Sequence, residues 1–318
     1  MRSSHRARDL CRQALLAASL SAAFAAPVAA EQIQLPAIVA PANQEHHTGK
    51  MIFTELVTPD LAAAKQFYGG LFGWTFRDSN VGAMPYAEAL LAGHPVAGLL
   101  QKPIPAGEQH QSAWLSFFSV PDVDAAAQTA VRSGAKILFD PHSFPDRGRE
   151  AVLADPQGAV FAVLASSSGD PPDVLAPDGA WIWSSLITTD PDSDAAFYKT
   201  LLGYDIFQLP PLGATRASTH APAQTDGEHL LLASENYARA SVNSPPPNLA
   251  RFHPHWINFA RVEDADAMAA KAVALGGRVL VAPRVDRHGG KIALIADPQG
   301  TPFGLLEWVD DANKEMSR

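Results

Sequence analysis

Residues 114–165 read WLSFFSVPDVDAAAQTAVRSGAKILFDPHSFPDRGREAVLADPQGAVFAVLA, and residues 256–307 read WINFARVEDADAMAAKAVALGGRVLVAPRVDRHGGKIALIADPQGTPFGLLE. The two stretches align without a gap, and 21 of their 52 positions are identical. An internal duplication of this length predicts a repeated architecture. Shorter motifs are repeated as well: Asp-Pro-Gln-Gly at 155–158 and 297–300, and Phe-Tyr-x-x-Leu-x-Gly at 67–73 and 197–203. The duplicated unit therefore begins near residue 50 and again near residue 180.

Each unit carries the pattern of a strand, a helix and three further strands. In the first, residues 53–57 are rich in strand-forming side chains, Asp60 can cap a helix over 61–71, and Gly73 can end it. Further strands are predicted at 74–77, 86–91 and 96–100. The same order recurs from residues 114, 181 and 255, so four βαβββ modules are expected.

These motifs resemble those of the vicinal oxygen chelate superfamily, which includes glyoxalase I, bleomycin-resistance proteins and extradiol dioxygenases. The resemblance covers about residues 50–310. It rests on the repeated Phe-Tyr-x-x-Leu-x-Gly and Asp-Pro-Gln-Gly motifs and on two Trp-x-x-Phe-x-x-Val-x-Asp strands. It implies an α+β fold in which the four modules pair into two domains, each with its sheet curled into a cup. Because this fold hosts isomerases, dioxygenases, lyases and binding proteins, the resemblance does not define a reaction.

Composition indicates how the segments outside the four modules are organised. Residues 1–30 combine four arginines, an apolar run and small residues before a cleavage point after Ala30, which is typical of a secretory signal peptide. We therefore expect a periplasmic or secreted protein. The expected organisation is a signal peptide at 1–30, a flexible lead-in at 31–49, a first domain at 50–166, a linker at 167–179, a second domain at 180–310 and a tail at 311–318.

The remaining chain is acidic, with 20 basic and 32 acidic residues after removal of the first thirty. That balance argues against a nucleic-acid partner. We expect no membrane association after cleavage, because no later apolar run is long enough to span a bilayer. The single cysteine, Cys11, leaves with the signal peptide, so no disulfide or thiolate chemistry is expected. Four modules already supply two complete cups, and an oligomer is therefore not required.

The resemblance also implies where a metal would bind. Metal-using members carry His, Gln or Glu at fixed points on the strands that line the cup. The corresponding positions here hold side chains that cannot ligate a divalent metal. They are Phe53, Leu115, Trp183 and Ile257 on the first strands of the modules, and Ala162 and Gly304 on the last strands. We expect no metal cofactor, although a divalent metal held by unusual ligands is left open.

Glu55 is the best candidate for a catalytic group. Side chains two apart on a strand share a face, so Glu55 should point into the first cup between Phe53 and Val57, and Ser185 should occupy the matching place in the second. Apolar neighbours would raise the pKa of the carboxyl and favour general-base behaviour. The alternative is a structural glutamate that pairs with an arginine or a backbone amide near the rim.

Other charged and imidazole side chains give weaker signals. Arg261 shares a face with Ile257 and Phe259, and it could bind an anionic ligand or form a salt bridge at the rim. His253 and His255 have a spacing that could hold a metal from a loop, but no third ligand is visible nearby. We expect both histidines to be structural or surface residues.

Three functional interpretations remain. The leading one is an exported, metal-independent protein that binds a small, partly aromatic or apolar molecule in one or both cups. The alternative is an enzyme acting on a small carbonyl or phenolic substrate, with Glu55 as base or with an atypically ligated metal. A third is that one cup is a filled core that serves as scaffold. The predicted ligand-binding residues are Phe53, Val57, Leu115, Phe117, Trp183, Ser185, Ile257, Phe259 and Arg261.

Overall fold

A computed structural model describes residues 33–103, 112–208, 229–245, 253–286 and 289–309. The expected signal peptide and the tail lie outside these residues. Module 1 contains β1 (Met51–Thr58), α1 (Leu61–Phe72), β2 (Thr75–Val81), β3 (Met84–Leu91) and β4 (His94–Gln101). Module 2 contains β5 (Ala113–Ser119), α2 (Val123–Arg132), β6 (Lys136–Phe144), β7 (Gly148–Ala154) and β8 (Val160–Ser166).

The second half of the chain repeats this order. Module 3 contains β9 (Trp181–Ile187), α3 (Pro191–Leu202), β10 (Asp205–Gln208), β11 (His229–Ser234) and β12 (Tyr237–Asn243). Module 4 contains β13 (His255–Arg261), α4 (Ala265–Ala274), β14 (Arg278–Val285), β15 (Lys291–Ala296) and β16 (Pro302–Leu306). None of the described helices has the length and apolar character needed to cross a membrane.

Each pair of modules forms one eight-stranded sheet. The first sheet has the order β2-β3-β4-β1-β5-β8-β7-β6, and the second has the equivalent order β10-β11-β12-β9-β13-β16-β15-β14. The first strands of paired modules run antiparallel, whereas each pairs in parallel with the last strand of its own module. The predicted α+β fold, with four modules paired into two curled sheets, is confirmed.

The helices begin and end where the sequence motifs place their caps. Asp60 caps α1 and Asp190 caps α3, since each carboxylate accepts a hydrogen bond from the backbone N–H three residues further on. Asp122 and Asp264 do the same for α2 and α4. Gly73 ends α1 with a φ of 76°, a left-handed conformation that a glycine adopts without steric cost.

A register shift near the start of β1 decides which side chains face the first cup. The pairing with β5 skips Ile52, so Phe53 and Glu55 lie on the cup face while Leu56 lies on the helix face. The matching shift in β9 skips Ile182. The same feature of the backbone therefore sets the inward-facing residues of both cups.

The two domains pack through their helix faces, away from the cups. Helix α1 lies against α4, and α2 lies against α3. The central strands β5 and β13 also meet, where Ser116 Oγ donates to Asn258 Oδ1 across 3.0 Å. Each large buried cluster accordingly contains side chains from both domains. The paired domains therefore share their main hydrophobic cores.

The lead-in differs from the flexible segment expected from composition. Leu35 and Ile38 are buried against the first sheet, with exposed fractions of 5% and 2%. Further along, His47 contacts the carboxylates of Glu45 and Glu235. The segment packs because two well-spaced apolar side chains meet a concave apolar surface, a contact that local composition does not show. Residues 33–43 are called the N-terminal arm below.

Candidate functional site

The first cup is lined by the predicted apolar residues and closed by the N-terminal arm. Phe53 and Phe117 pack edge to face, with ring centroids 5.8 Å apart. They form one cluster with Ala162, Leu164 and the partly buried Leu115, and Ile38 of the arm belongs to the same cluster. Val57 lies further along β1 and is half-buried. The apolar floor of this cup is therefore covered by the protein's own chain.

A charged cluster lies buried beside this floor. The guanidinium of Arg147 lies 4.2 Å from the ring centroid of Phe53. Its Nη2 donates to the hydroxyl of Tyr86 (3.1 Å), and its Nε donates to the carbonyl oxygen of Pro36 in the arm (2.8 Å). Both Arg147 and Tyr86 are fully buried. The arginine thus connects the arm to the wall of the cup.

Two carboxyl groups complete the charged cluster. Burial raises the pKa of Glu55, and the opposing effects come from the charge of Arg147 and the Tyr86 hydroxyl. Burial likewise raises the pKa of Glu150 to about 7, and the charge of Glu55 adds to the shift while Arg147 opposes it. Two carboxylates close to one arginine leave an excess negative charge, which binding of a proton relieves.

The cluster contains hydrogen-bonding atoms without partners. Among the described residues, these are Oε2 of Glu55, Oε2 of Glu150 and Nη1 of Arg147. Buried polar atoms of this kind are costly and uncommon in folded proteins. Gly98 makes room for the cluster, because a Cβ at this position would lie 2.1 Å from the Tyr86 hydroxyl.

The second cup has a different lining. Trp183, Ile257 and Phe259 belong to an apolar cluster on its inner face. Several members of this cluster are only partly buried: Ile182, Trp183, Ile187, Ile292 and Leu294. Trp308 lies near Trp183, with ring centroids 6.4 Å apart and 38% of its surface exposed. Aromatic and aliphatic side chains therefore remain accessible along this inner face.

A row of neutral polar side chains crosses the second cup. Ser185 and Ser241 share a hydrogen bond of 2.7 Å, and Trp183 Nε1 donates to Ser241 Oγ across 3.1 Å. Asn243 Nδ2 donates to the same oxygen (3.1 Å) and also contacts the ring of His229. This second-cup polar row can offer both donors and acceptors to a ligand.

Strand register shows that the two sites are equivalent positions with different residues. Glu55 pairs with Gly98 in the first sheet as Ser185 pairs with Ser241 in the second. Two further differences follow from the sequence offset. Arg147 corresponds to Gly289, and Glu150 corresponds to Ile292. The second cup therefore lacks the counterparts of every charged group in the first-cup cluster.

Arg261 lies at the rim of the second sheet. Its Nη1 donates to the carbonyl oxygen of Ala176 (2.8 Å), and its Nε lies 3.4 Å from a carboxylate oxygen of Asp178. Both partners belong to the linker between the domains. The side chain is thus engaged in holding the linker, and a role in ligand binding stays a prediction.

The histidines expected to be structural lie together before β13. His255 Nδ1 donates to the carbonyl oxygen of His253 (2.8 Å), and burial lowers the pKa of His255. Glu307 accepts backbone N–H bonds from Ala265 and Lys291. It joins the start of α4 to β15, so its role is structural.

The six strand positions at which the family resemblance places metal ligands are not suited to a metal ion. Phe259 fills the space beside Gly304, since a Cβ at 304 would lie 1.9 Å from that ring. Phe53, another of the six positions, lies in the first cup and has the guanidinium of Arg147 over its ring. A cation and aromatic carbons thus stand where oxygen or nitrogen ligands would be needed.

In the part of the chain that the structure describes, two groups of possible metal ligands lie elsewhere. One contains His47, Asp173 and Glu235, but Asp173 already pairs with Lys50 (2.8 Å) and Arg239 (2.5 Å). The other contains Asp264, Asp266 and Glu307, where Glu307 is held by backbone N–H groups and Asp266 pairs with Lys291. Protein cations and amides occupy these carboxylates, so neither group resembles an open metal centre.

Sequence reasoning missed the partners of Glu55. Arg147 and Glu150 were not among the predicted site residues, because arginine and glutamate are rarely buried. A signal was nevertheless present in the repeat itself. Both positions are charged in the first copy and uncharged in the second, a difference that marks a site specialised in one domain only.

Comparison with known proteins agrees with the architecture. Residues 46–163 match the model of the Glyoxalase/Bleomycin resistance protein/Dioxygenase superfamily, and residues 183–306 match that of a glyoxalase-like domain. The chain is 31% identical to a protein of Mycobacterium tuberculosis named "Putative glyoxylase CFP32", over 84% of this chain and 98% of that one. It is 30% identical to the anthracycline biosynthesis protein DauV of a Streptomyces species, over 81% and 93%.

Solved structures show the same fold. A Mn(II)-bound glyoxalase from Novosphingobium aromaticivorans superposes with a TM-score of 0.57 at 16% identity, covering 83% of this chain and 84% of that one. A trihydroxybiphenyl dioxygenase from Sphingomonas wittichii gives a TM-score of 0.56 at 14% identity, covering 82% and 91%. At these identities the likeness shows the arrangement of the strands and helices and not the chemistry.

Proposed function

The chain belongs to the glyoxalase/bleomycin resistance protein/dioxygenase superfamily, and on that premise we propose that it binds a small, largely apolar aromatic molecule in its second cup without a metal ion. The observation that carries this proposal is the inner face of the second sheet. Partly exposed apolar side chains there adjoin the second-cup polar row. Ligand pockets commonly combine an apolar wall with a few well-placed polar groups.

The contrast with the first cup supports the choice of site. In the first cup, Ile38 of the arm packs against the apolar floor. In the second domain the equivalent leading segment is the linker, and Arg261 holds it at the rim through Ala176 and Asp178. Among the described residues, no segment enters the second cup as the arm enters the first.

The lining favours a planar aromatic ligand with hydroxyl or carbonyl groups. Trp183 and Trp308 can stack against a flat ring, and aromatic contacts of this kind add about 0.5–1.5 kcal/mol beyond the area they bury. Ser185 and Ser241 can hydrogen-bond a ring substituent. The anthracycline biosynthesis proteins among the relatives are named for a pathway whose products are polycyclic aromatic molecules, which agrees with this ligand class.

The enzyme interpretation receives less support. Glu55, the candidate base, lies in the first cup beneath the arm, and its nearest charged neighbour is Arg147. A base has to reach the proton that it removes, so the arm would have to leave before Glu55 could act. The second cup has Ser185 at the matching position, and serine without an adjacent base is a poor acid or base.

Titration with a hydroxyanthraquinone tests the proposal. We expect one equivalent to bind and to quench tryptophan fluorescence. Trp183→Leu should raise the dissociation constant at least about tenfold, and Ser241→Ala should raise it by a smaller factor. Val174→Ala, in the linker and 72% exposed, is the matched control and should leave affinity unchanged. Unaltered affinity in Trp183→Leu would place the ligand elsewhere and overturn the proposal.

We also propose that the protein is exported, with residues 1–30 removed as a signal peptide. The support is the basic start, the apolar run and the small residues before Ala30. Expression with the native N-terminus in a Gram-negative host, followed by cell fractionation and mass spectrometry, provides the test. A periplasmic product that begins at Glu31 is expected, and an uncleaved product that stays in the cytoplasm would contradict export.

A further inference from the structure

The N-terminal arm enters the first cup as an occupant of the site. Leu35 packs with Val81, Tyr86 and Phe144 on one side of the cup. Ile38 packs on the apolar floor with Phe53 and its neighbours. The arm therefore fills the volume that a ligand would fill, and it uses two apolar side chains to do so.

The arm is fastened firmly at one end only. Asn43 donates its backbone N–H to the carbonyl oxygen of Ser168 and its side-chain N–H to that of Asp170, both at 2.9 Å. Towards its start, Arg147 donates to the carbonyl oxygen of Pro36, and the backbone N–H of Val39 donates to Ser168 Oγ. An arm released from the cup would accordingly remain attached through Asn43.

The arm is an imperfect occupant. With the arm in place, Oε2 of Glu55, Oε2 of Glu150 and Nη1 of Arg147 have no hydrogen-bond partner. Ordering the arm also costs conformational entropy at every residue, which offsets part of the gain from burying Leu35, Ile38 and part of Val39. A guest that fills the apolar floor and also reaches these three atoms would be a better match for the cup.

A groove of about 630 Å³ lies beside the start of the arm, lined by Ile33 and by residues of the β6–β7 hairpin that include Phe144 and Arg149. We propose that the N-terminal arm is a displaceable plug, and that the first cup beneath it is a second binding site for a small amine with an apolar body. The amine N–H would donate to one of the two carboxylates, and the apolar body would lie on the floor of the cup.

The test compares the number of bound phenylnaphthylamine molecules, a neutral aromatic amine whose fluorescence rises in apolar sites. The double variant Leu35→Asp/Ile38→Asp, made in the full chain, removes the apolar anchors of the plug. We expect it to bind one molecule more than the unaltered protein does. Ile33→Asp is the matched control, because Ile33 is exposed in the same segment, and its count should not change.

Added peptide provides a second readout. A synthetic peptide of residues 33–43 should compete with the extra phenylnaphthylamine molecule in the double variant and should leave any binding in the second cup unaffected. If hydrogen exchange shows that the arm is released while the count stays the same, the first cup is not a site and the proposal is wrong. Because the number of bound phenylnaphthylamine molecules is compared between variants, the result of this test does not depend on ligand binding in the second cup.

The unaltered protein supplies a test that needs no variant. The amide of Val39 should exchange with solvent on the order of 100-fold faster than that of Leu56 in β1, because release of the arm needs no opening of the sheet. Equal protection of the arm and the sheet would show that the arm leaves only on global unfolding, and would overturn the idea of a displaceable plug.

Discussion

The hydroxyl of Tyr68 donates a hydrogen bond to Oδ2 of Asp297, 3.0 Å away in the other domain. The same hydroxyl accepts the indole N–H of Trp114 at 2.9 Å. An equivalent relay joins Tyr198 to Asp155 and receives Trp256. The motifs that reveal the duplication therefore meet at the interface between the domains. They are the Phe-Tyr helix, the tryptophan strand and the Asp-Pro-Gln-Gly turn.

Removing one hydroxyl should weaken this interface. Tyr68→Phe leaves the Trp114 N–H and an Asp297 oxygen unsatisfied in a buried place, so we expect a loss of about 1–3 kcal/mol in the free energy of unfolding. Urea titration followed by circular dichroism measures it. Tyr237→Phe, at a side chain that is half exposed, should stay within about 0.5 kcal/mol. A loss no larger in Tyr68→Phe than in the control would show that the relay does not stabilise the fold.

Asp194 should make stability depend on pH. Burial raises the pKa of its carboxyl to about 7, the charges of Asp155 and Asp190 add to the shift, and the Thr188 hydroxyl opposes it. The folded state therefore holds a proton that the unfolded state loses near pH 4, and stability falls as pH rises from about 4 to about 7. At pH 8, Asp194→Ala should be more stable than the unaltered protein by roughly 2–4 kcal/mol.

The size of that gain should itself follow pH. Below pH 4 the carboxyl is protonated in both states, so the advantage of Asp194→Ala should vanish there. Alanine is a suitable replacement, because the equivalent position in α1 is Ala64. Asp192→Ala, at an exposed residue of the same turn, serves as control and should change stability by less than about 0.5 kcal/mol at either pH. A gain at pH 8 that persists unchanged at pH 4 would exclude a titrating carboxyl.

Gly98 should not tolerate a side chain. A Cβ there would lie 2.1 Å from the Tyr86 hydroxyl, so Gly98→Ala forces the tyrosine or the strand to move and should cost about 1–3 kcal/mol. Adding Tyr86→Phe removes the closest atom and should recover part of that loss in a urea titration. If the strain came from the backbone of β4, the double variant Gly98→Ala/Tyr86→Phe would be no more stable than Gly98→Ala.

Elemental analysis of the protein purified without an affinity tag tests the absence of a metal. We expect less than stoichiometric metal before and after incubation with manganese, iron, nickel or zinc, because the six strand positions carry no ligands. Thermal unfolding in the presence of each ion gives an independent readout and should show no shift. One bound equivalent would show that a different set of side chains forms a centre, and the group around His47 and Asp173 would be mutated first.

The fold could be predicted from the sequence because the patterns that indicate it are repeated along the chain. The strand and helix patterns recur four times, and the caps at Asp60 and Gly73 mark the ends of the first helix. Alternation along a strand is a local rule, and the inward direction of Glu55 and Ser185 is a prediction made from it. The register shift beside Ile52 falls before Phe53 and leaves that alternation intact over the predicted residues.

Other parts of the site depend on contacts between distant segments. The arm packs in the cup because Leu35 and Ile38 fit a cavity formed by several strands of the first domain, which local composition does not reveal. The burial of Arg147 follows from the carboxyls and the tyrosine around it, against the general tendency of arginine to be exposed. Likewise, Asp155 and Asp297 could be assigned to turns, but their tyrosine partners depend on how the domains pack.

A dimer of identical subunits would repeat every substitution in both of its cups. In this chain the two halves are covalently joined but differ in sequence. Arg147 lies at the site in the first half, and the corresponding position in the second half is Gly289. A change that seals one cavity therefore leaves the other free to alter its selectivity, while the tyrosine joints keep the halves together. The tandem arrangement therefore lets each half change its own cavity while the joints between the halves stay the same.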